Sequence, residues 1–251
     1  DSRNIKSYTM YMEEQSMKKT VALITMSLIL TAAVFAGGQA EAETAGAAYK
    51  DGVYFAQEDQ FSGSGWKYNV TLEVKGGKIV SATWNGANIN AGKDKVSLSK
   101  AGEYGMEEKG GAMAPWFKQA KAAEDYLLKT QDPAAITYTD DKGHTDAFTG
   151  ASIHVVEFFD LAEKALAAGP SGFGPYKDGE YRAEQAEFSH GYKYFVNLTV
   201  ISGYVVAADW DALAEDGGTN KAQRSEDGEY GMQANGGAMA PWFEQARAVE
   251  D

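Results

Sequence analysis

The 251-residue chain has a formal charge of −13, no cysteine, and 44% hydrophobic and 12% aromatic residues. That composition belongs to a folded globular chain with room for one large domain or two modest ones. It excludes disulfides, thiolate nucleophiles, iron–sulfur clusters and thiolate zinc sites. It also argues against nucleic acid as a partner, because phosphate-backbone binding needs a basic footprint.

The acidity sits in the body of the chain. Residues 1–42 hold four Lys/Arg and four Asp/Glu, whereas residues 43–251 hold 19 and 32. Residues 1–16 precede a plausible initiator, Met17, and read as upstream or expression-derived sequence. Met17-Lys18-Lys19, the apolar run Val21 to Phe35 and Gly37-Gly38-Gln39-Ala40-Glu41-Ala42 follow in the positive, apolar, small-x-small order of a secretory signal peptide over 17–42. The run is short for a membrane span and contains Thr25, Ser27 and Thr31, so export, to the periplasm or the cell exterior, is the expectation, with a retained membrane anchor and membrane association as the alternative.

Trp66 to Val74 alternates with period two, Lys75-Gly76-Gly77-Lys78 predicts a hairpin turn, and Ile79 to Trp84 predicts the partner strand. Pro115 suits a helix start, and Trp116, Ala120, Ala123, Leu127 and Leu128 make one apolar face of a helix of some fifteen residues. Ile136 to Thr139 predicts a short strand and Asp140 to Gly143 a turn. Ile153, Val156, Phe159, Leu161 and Leu166 predict a second helix ending near Ala168. The fold class is therefore α+β, an antiparallel sheet with packed helices.

Ala167 to Pro175 is a Gly/Pro/Ala-rich stretch, with 170–175 as the linker, after which the sequence repeats. Tyr49-Lys-Asp-Gly52 returns as Tyr176-Lys-Asp-Gly179, Tyr104-Gly-Met106 as Tyr230-Gly-Met232, and Gly110 to Phe117 unchanged as Gly236 to Phe243. Two homologous domains are expected, 49–169 and 176–251, the second partial because nothing in it matches residues 126–169. Lacking a second helix to cover its sheet, that second domain is expected to be unstable alone.

The three histidines, His144, His154 and His190, show no paired metal-ligand spacing and read as surface or packing residues. Asp140-Asp141 reads as a solvated turn, since no calcium-loop spacing surrounds it. The Gly-Gly-Ala-Met-Ala-Pro-Trp-Phe block has two readings: Met113 and Trp116 could wall an aromatic ligand, or Trp116 and Phe117 could anchor the core at a helix N-terminus.

Between the turn and the second helix lies Asp146-Ala-Phe-Thr149-Gly150-Ala151-Ser152. It resembles the Asp-x-x-[Ser/Thr]-Gly-Ala-[Ser/Thr] flavinylation motif of the FMN-binding domain family, and the resemblance spans 49–169 and the partial second copy. That family includes flavin-carrying subunits of sodium-pumping NADH:quinone oxidoreductases and extracellular electron-transfer flavoproteins of bacteria. The resemblance implies covalent FMN on Ser152 through a phosphoester, with Thr149, Gly150 and Ala151 forming the close approach and Asp146 opening the motif. It further implies an FAD:protein FMN transferase that uses magnesium, and a membrane redox donor such as a quinone-linked or NADH-linked dehydrogenase. The chain would be a redox carrier rather than a stand-alone enzyme. Serine stands where threonine is commoner in the respiratory subunits.

No histidine or carboxylate lies at an obvious activating offset from Ser152, so self-catalysed attachment is not implied. Placement at a helix start would give the phosphodiester free backbone N–H groups and the positive end of the helix dipole. The alternative is that Thr149 or Ser152 merely caps the helix. A non-redox surface binding module and an electron-input domain of a flavin-dependent reductase are the competing functions.

Overall fold

The computed structural model describes residues 49–250, so the expectations for 1–16 and 17–42 lie outside the described residues. The fold is mixed α+β, with two three-stranded antiparallel sheets and packed helices. Among the described residues no helix is long and apolar enough to cross a membrane.

The first sheet runs β1 (Gly52–Gln57), β2 (Trp66–Lys75) and β3 (Lys78–Asn88) in sequence order. Its hairpin turns at Gly76 and Gly77, both at positive φ (60° and 74°), the conformation that a two-residue turn matched to strand twist requires. Alternation buries Val70, Leu72 and Val74 on one face, joined by Tyr54, Ala82 and Trp84.

Three helices follow: α1 (Lys95–Lys100), capped by the Asp94 carboxylate on the Ser97 N–H, α2 (Met106–Gly110) and α3 (Trp116–Thr130). α3 packs over β3 and presents the expected face, Trp116, Ala120, Ala123 and Leu127 all buried. Its buried Glu124 carboxylate accepts the Trp84 N–H at 2.8 Å, and the Gln131 amide exchanges two hydrogen bonds with the Ile79 backbone. These side chains satisfy part of the outer edge of β3, an edge that would otherwise invite pairing with another chain. The second helix, α4 (Val156–Ala168), lies across β1 and β2 and buries Phe158, Phe159, Leu161, Ala162 and Ala165.

Two expectations are corrected. Residues 136–139 form no strand: no strand lies beside them, and they bond the adjoining loop instead, the Thr139 N–H to His144 C=O and Thr137 C=O to the Thr145 hydroxyl. Ile153 precedes α4 rather than lying in it.

The second sheet runs β4 (Gly179–Glu184), β5 (Tyr192–Ile201) and β6 (Tyr204–Ala214), followed by α5 (Lys221–Glu226), α6 (Met232–Gly236) and α7 (Trp242–Glu250). Strand lengths and order match those of the first sheet. Glu250 accepts the Trp210 N–H at 2.7 Å, as Glu124 does from Trp84. A second apolar cluster joins the sheets: Ala87 and Ala91 meet Ile201, Val206 and Ala207, with Phe55 stacked on Tyr204 at 4.6 Å. The stretch between them is tied to both sides. Ser171 and Gly172 N–H groups bond Val53 C=O, and the Gly174 N–H bonds Ser202 C=O.

Candidate functional site

The segment from Asp140 to Val155 is a strap without regular structure, fixed by short-range polar bonds. The Asp140 carboxylate accepts from the Lys142 and His144 N–H groups and pairs with His144 Nδ1 at 2.6 Å, which holds it below the usual carboxylate range. Gly143, at φ +86°, sits so close to Val156 that any side chain would collide with it, and its carbonyl accepts the Val155 N–H. The buried Thr145 hydroxyl bonds Thr137 C=O and receives the Ala147 N–H, and Phe148 packs on Tyr126 of α3. The strap therefore crosses α3 with its motif residues outward.

Asp146, Thr149 and Ser152 are exposed. Gly150, at φ +101°, faces Ala122 of α3 at a distance that leaves no slack for a larger residue. Ser152 is held by one side chain: Gln119 Oε1 accepts its N–H at 2.7 Å and its hydroxyl at 3.2 Å. Gln119 is 1% exposed, and its Nε2 donates to Ala114 C=O at 2.8 Å. One buried amide thus connects the motif to the Gly-Gly-Ala-Met-Ala-Pro-Trp-Phe block. Gln119 is a site residue the motif does not reveal. Its signal was present in the sequence, since Trp116-Phe-Lys-Gln119 returns as Trp242-Phe-Glu-Gln245.

The helix-start expectation for Ser152 is corrected. α4 begins at Val156, its cap residue Val155 makes no side-chain capping bond, and neither Thr149 nor Ser152 caps it. The ionisable neighbour is His154, two residues from Ser152. Its Nδ1 hydrogen-bonds the Glu157 carboxylate at 2.7 Å, and that bond raises the imidazole above its ordinary value despite partial burial. Burial pushes Glu157 up, but bonds from His154 and its own backbone outweigh this and leave it low.

Met113 and Trp116 part company. Met113 is 92% exposed, one residue from the carbonyl that Gln119 grips, whereas Trp116 is 2% exposed. Trp116 is therefore corrected as a ligand wall: its ring already faces Lys95. The Lys95 ammonium lies over the rings of Trp66, Tyr68, Tyr104 and Trp116 at 4.4–5.1 Å from their centroids and donates to the Tyr68 hydroxyl at 2.7 Å. Lys221 occupies the same kind of cage, formed by Tyr192, Tyr194, Tyr230 and Trp242. Burial pulls the Lys95 ammonium down to about 7, against the pull of Glu157 and Glu58. Ring faces favour the cation, each by up to about 2 kcal/mol when desolvated. The repeated Tyr104 and Tyr230 are thus cage walls. Among the described residues no three His, Asp or Glu side chains gather to hold a metal ion.

No protein-family model matches the chain, and no curated protein does. It is similar to a Clostridium thermocellum protein solved by solution NMR, at 55% identity over 47% of this chain and 91% of that one, with a TM-score of 0.39. It is also similar to a Clostridium perfringens protein with a crystal structure, at 25% identity over 48% and 88% of the two chains, with a TM-score of 0.38.

Proposed function

We propose that the chain is an exported electron-transfer carrier of the FMN-binding domain type, built from two copies of one domain, with FMN joined to Ser152 by a phosphoester. The observation that carries this reading is the presentation of Ser152: an exposed hydroxyl on a strap whose backbone is locked from beneath by the buried Gln119. A phosphoester there would meet solvent on one side, with His154, whose imidazole pKa is raised by its bond to Glu157, close by in sequence. Gly150 lets the strap run close against α3, and the exposed thioether of Met113 is available to the ring.

FMN, when attached, supplies one- and two-electron redox chemistry. The chain's own groups hold and orient the attachment point. Gln119 cannot remove the hydroxyl proton, because an amide carbonyl is not a base at neutral pH, so proton removal falls to the FMN transferase that installs the group from FAD. A membrane dehydrogenase, quinone-linked or NADH-linked, would supply electrons.

Coexpression with an FMN transferase followed by intact-mass measurement tests this. Wild-type chain gains the mass of one FMN and fluoresces under denaturing conditions, and Ser152→Ala gains neither while still folding, since it gives up only the one hydroxyl bond to Gln119. An unmodified wild-type chain beside a fully modified control substrate would refute the reading.

A further inference from the structure

Two of the three histidines meet on the strap, although ten positions separate them in sequence. The Val155 N–H donates to Gly143 C=O at 2.8 Å, and that bond sets His144 and His154 opposite each other on adjacent runs of backbone. Their ring centres lie 6.4 Å apart with the planes at 75°, and both side chains are half-exposed. Each ring is also oriented by a carboxylate of its own. His144 Nδ1 bonds Asp140 at 2.6 Å, and Asp140 is itself fixed by the Lys142 and His144 N–H groups. His154 Nδ1 bonds Glu157, in the first turn of α4, at 2.7 Å. An ionised carboxylate only accepts, so in each neutral imidazole Nδ1 carries the proton and Nε2 keeps the free lone pair. Histidines that ligate metals are arranged in this way, one nitrogen on the ion and the other on a carboxylate that fixes tautomer and ring orientation.

We infer that His144 and His154 bind one divalent transition ion of the zinc class through Nε2, with Asp140 and Glu157 behind them as orienting partners. A zinc–nitrogen bond of about 2.0–2.1 Å puts each ligating ring's centre roughly 3.2 Å from the ion, so two rings on one ion stand roughly 5–6 Å apart. From 6.4 Å, a small turn of two half-exposed side chains closes the site. Imidazole suits zinc, copper and nickel, whereas magnesium and calcium prefer oxygen ligands. Among the described residues no third His, Asp or Glu joins the pair, so water completes the coordination and the site is open rather than a closed structural one. An ion there would tie the turn at 140–144 to the residues that lead from Ser152 into α4. The site belongs to the unmodified chain and does not depend on FMN at Ser152.

The test is calorimetric titration of zinc chloride into the unflavinylated full chain, free of any histidine tag, beside His144→Gln, His154→Gln and His190→Gln. Uptake of one ion per chain is expected, with affinity at least about tenfold lower in either strap variant and unchanged in the His190 variant. Magnesium chloride should give no saturable heat. Zinc should also raise the wild-type melting temperature, because it binds the folded chain, and leave both strap variants unmoved. Imidazole proton spectra of the wild type keep the test decisive should a variant fold poorly: zinc should shift the His144 and His154 signals together and spare His190. No saturable uptake, uptake that survives both strap changes, equal uptake of magnesium, or zinc-induced shifts confined to one histidine would each overturn the inference.

Discussion

Replacing Gln119 with Leu, close in size, removes three hydrogen bonds at once: from the Ser152 N–H, from the Ser152 hydroxyl and to Ala114 C=O. Each such bond contributes about 0.5–1.5 kcal/mol net, and water can take over part of the role at exposed Ser152, so the expected loss is about 2 kcal/mol. The same change at Gln245 removes only one bond, to Ala240 C=O, from an exposed side chain, and should cost no more than about 1 kcal/mol. Urea denaturation of the full chain, wild type against each variant, measures both. Hydrogen exchange separates the local effect: in Gln119→Leu the Ser152 amide should exchange roughly tenfold faster, the consequence of about 1.4 kcal/mol of lost local protection. FMN loading should slow because the acceptor is no longer held. Equal costs at the two glutamines, with unchanged exchange across residues 146–154, would refute the assignment of Gln119 as the residue that positions Ser152.

Lys95→Met tests the buried cation. Because the folded ammonium titrates near 7 and the unfolded one near its ordinary 10.5, the unfolded chain holds the extra proton between those values. Wild-type stability should therefore rise with pH across that window relative to the variant, and parallel melting-temperature profiles would show that the cage keeps the cation at no cost. Glu124→Gln keeps the acceptor for the Trp84 N–H and relieves a carboxyl that burial already pushes up, so stability should be unchanged or better. Glu124→Leu strands that N–H and should cost about 1–3 kcal/mol in the same denaturation assay. Gly174→Ala would place a methyl 2.2 Å from Gly203 O, backbone against backbone, and should lower the melting temperature and loosen protection of residues 170–176. An unshifted melt would mean that this stretch is not tied to the second hairpin.

Much of this fold was legible because its signals are local. Period-two alternation from Trp66 to Val74, a Gly-Gly turn and a three-to-four stripe after Pro115 each depend on residues a few positions apart, and β2, β3 and α3 formed as those signals say. Ile136 to Thr139 misled for the complementary reason. Its β-branched residues suit a strand, but a strand needs a partner edge, and the β3 edge is already engaged by Gln131. The Asp146–Ser152 segment was readable as a motif. Its support was not, because Gln119 lies 33 residues from Ser152 and their pairing depends on how the strap crosses α3.

The two halves together argue which features belong to the domain design and which to the site. The caged lysine, the carboxylate on the tryptophan N–H and the glutamine on its alanine carbonyl occur in both. They are framework common to both halves. The oxygen of the first glutamine has a further role. In the first half Gln119 Oε1 is buried under the strap and spent on Ser152, and in the second Gln245 is open to solvent. In the first half this framework residue is also the seat of the strap, because its one buried oxygen accepts both the N–H and the hydroxyl of Ser152. Moving residues 140–155 would therefore be tolerated only opposite a glutamine at this position of α3, which is the sense in which the site is more than its seven-residue motif.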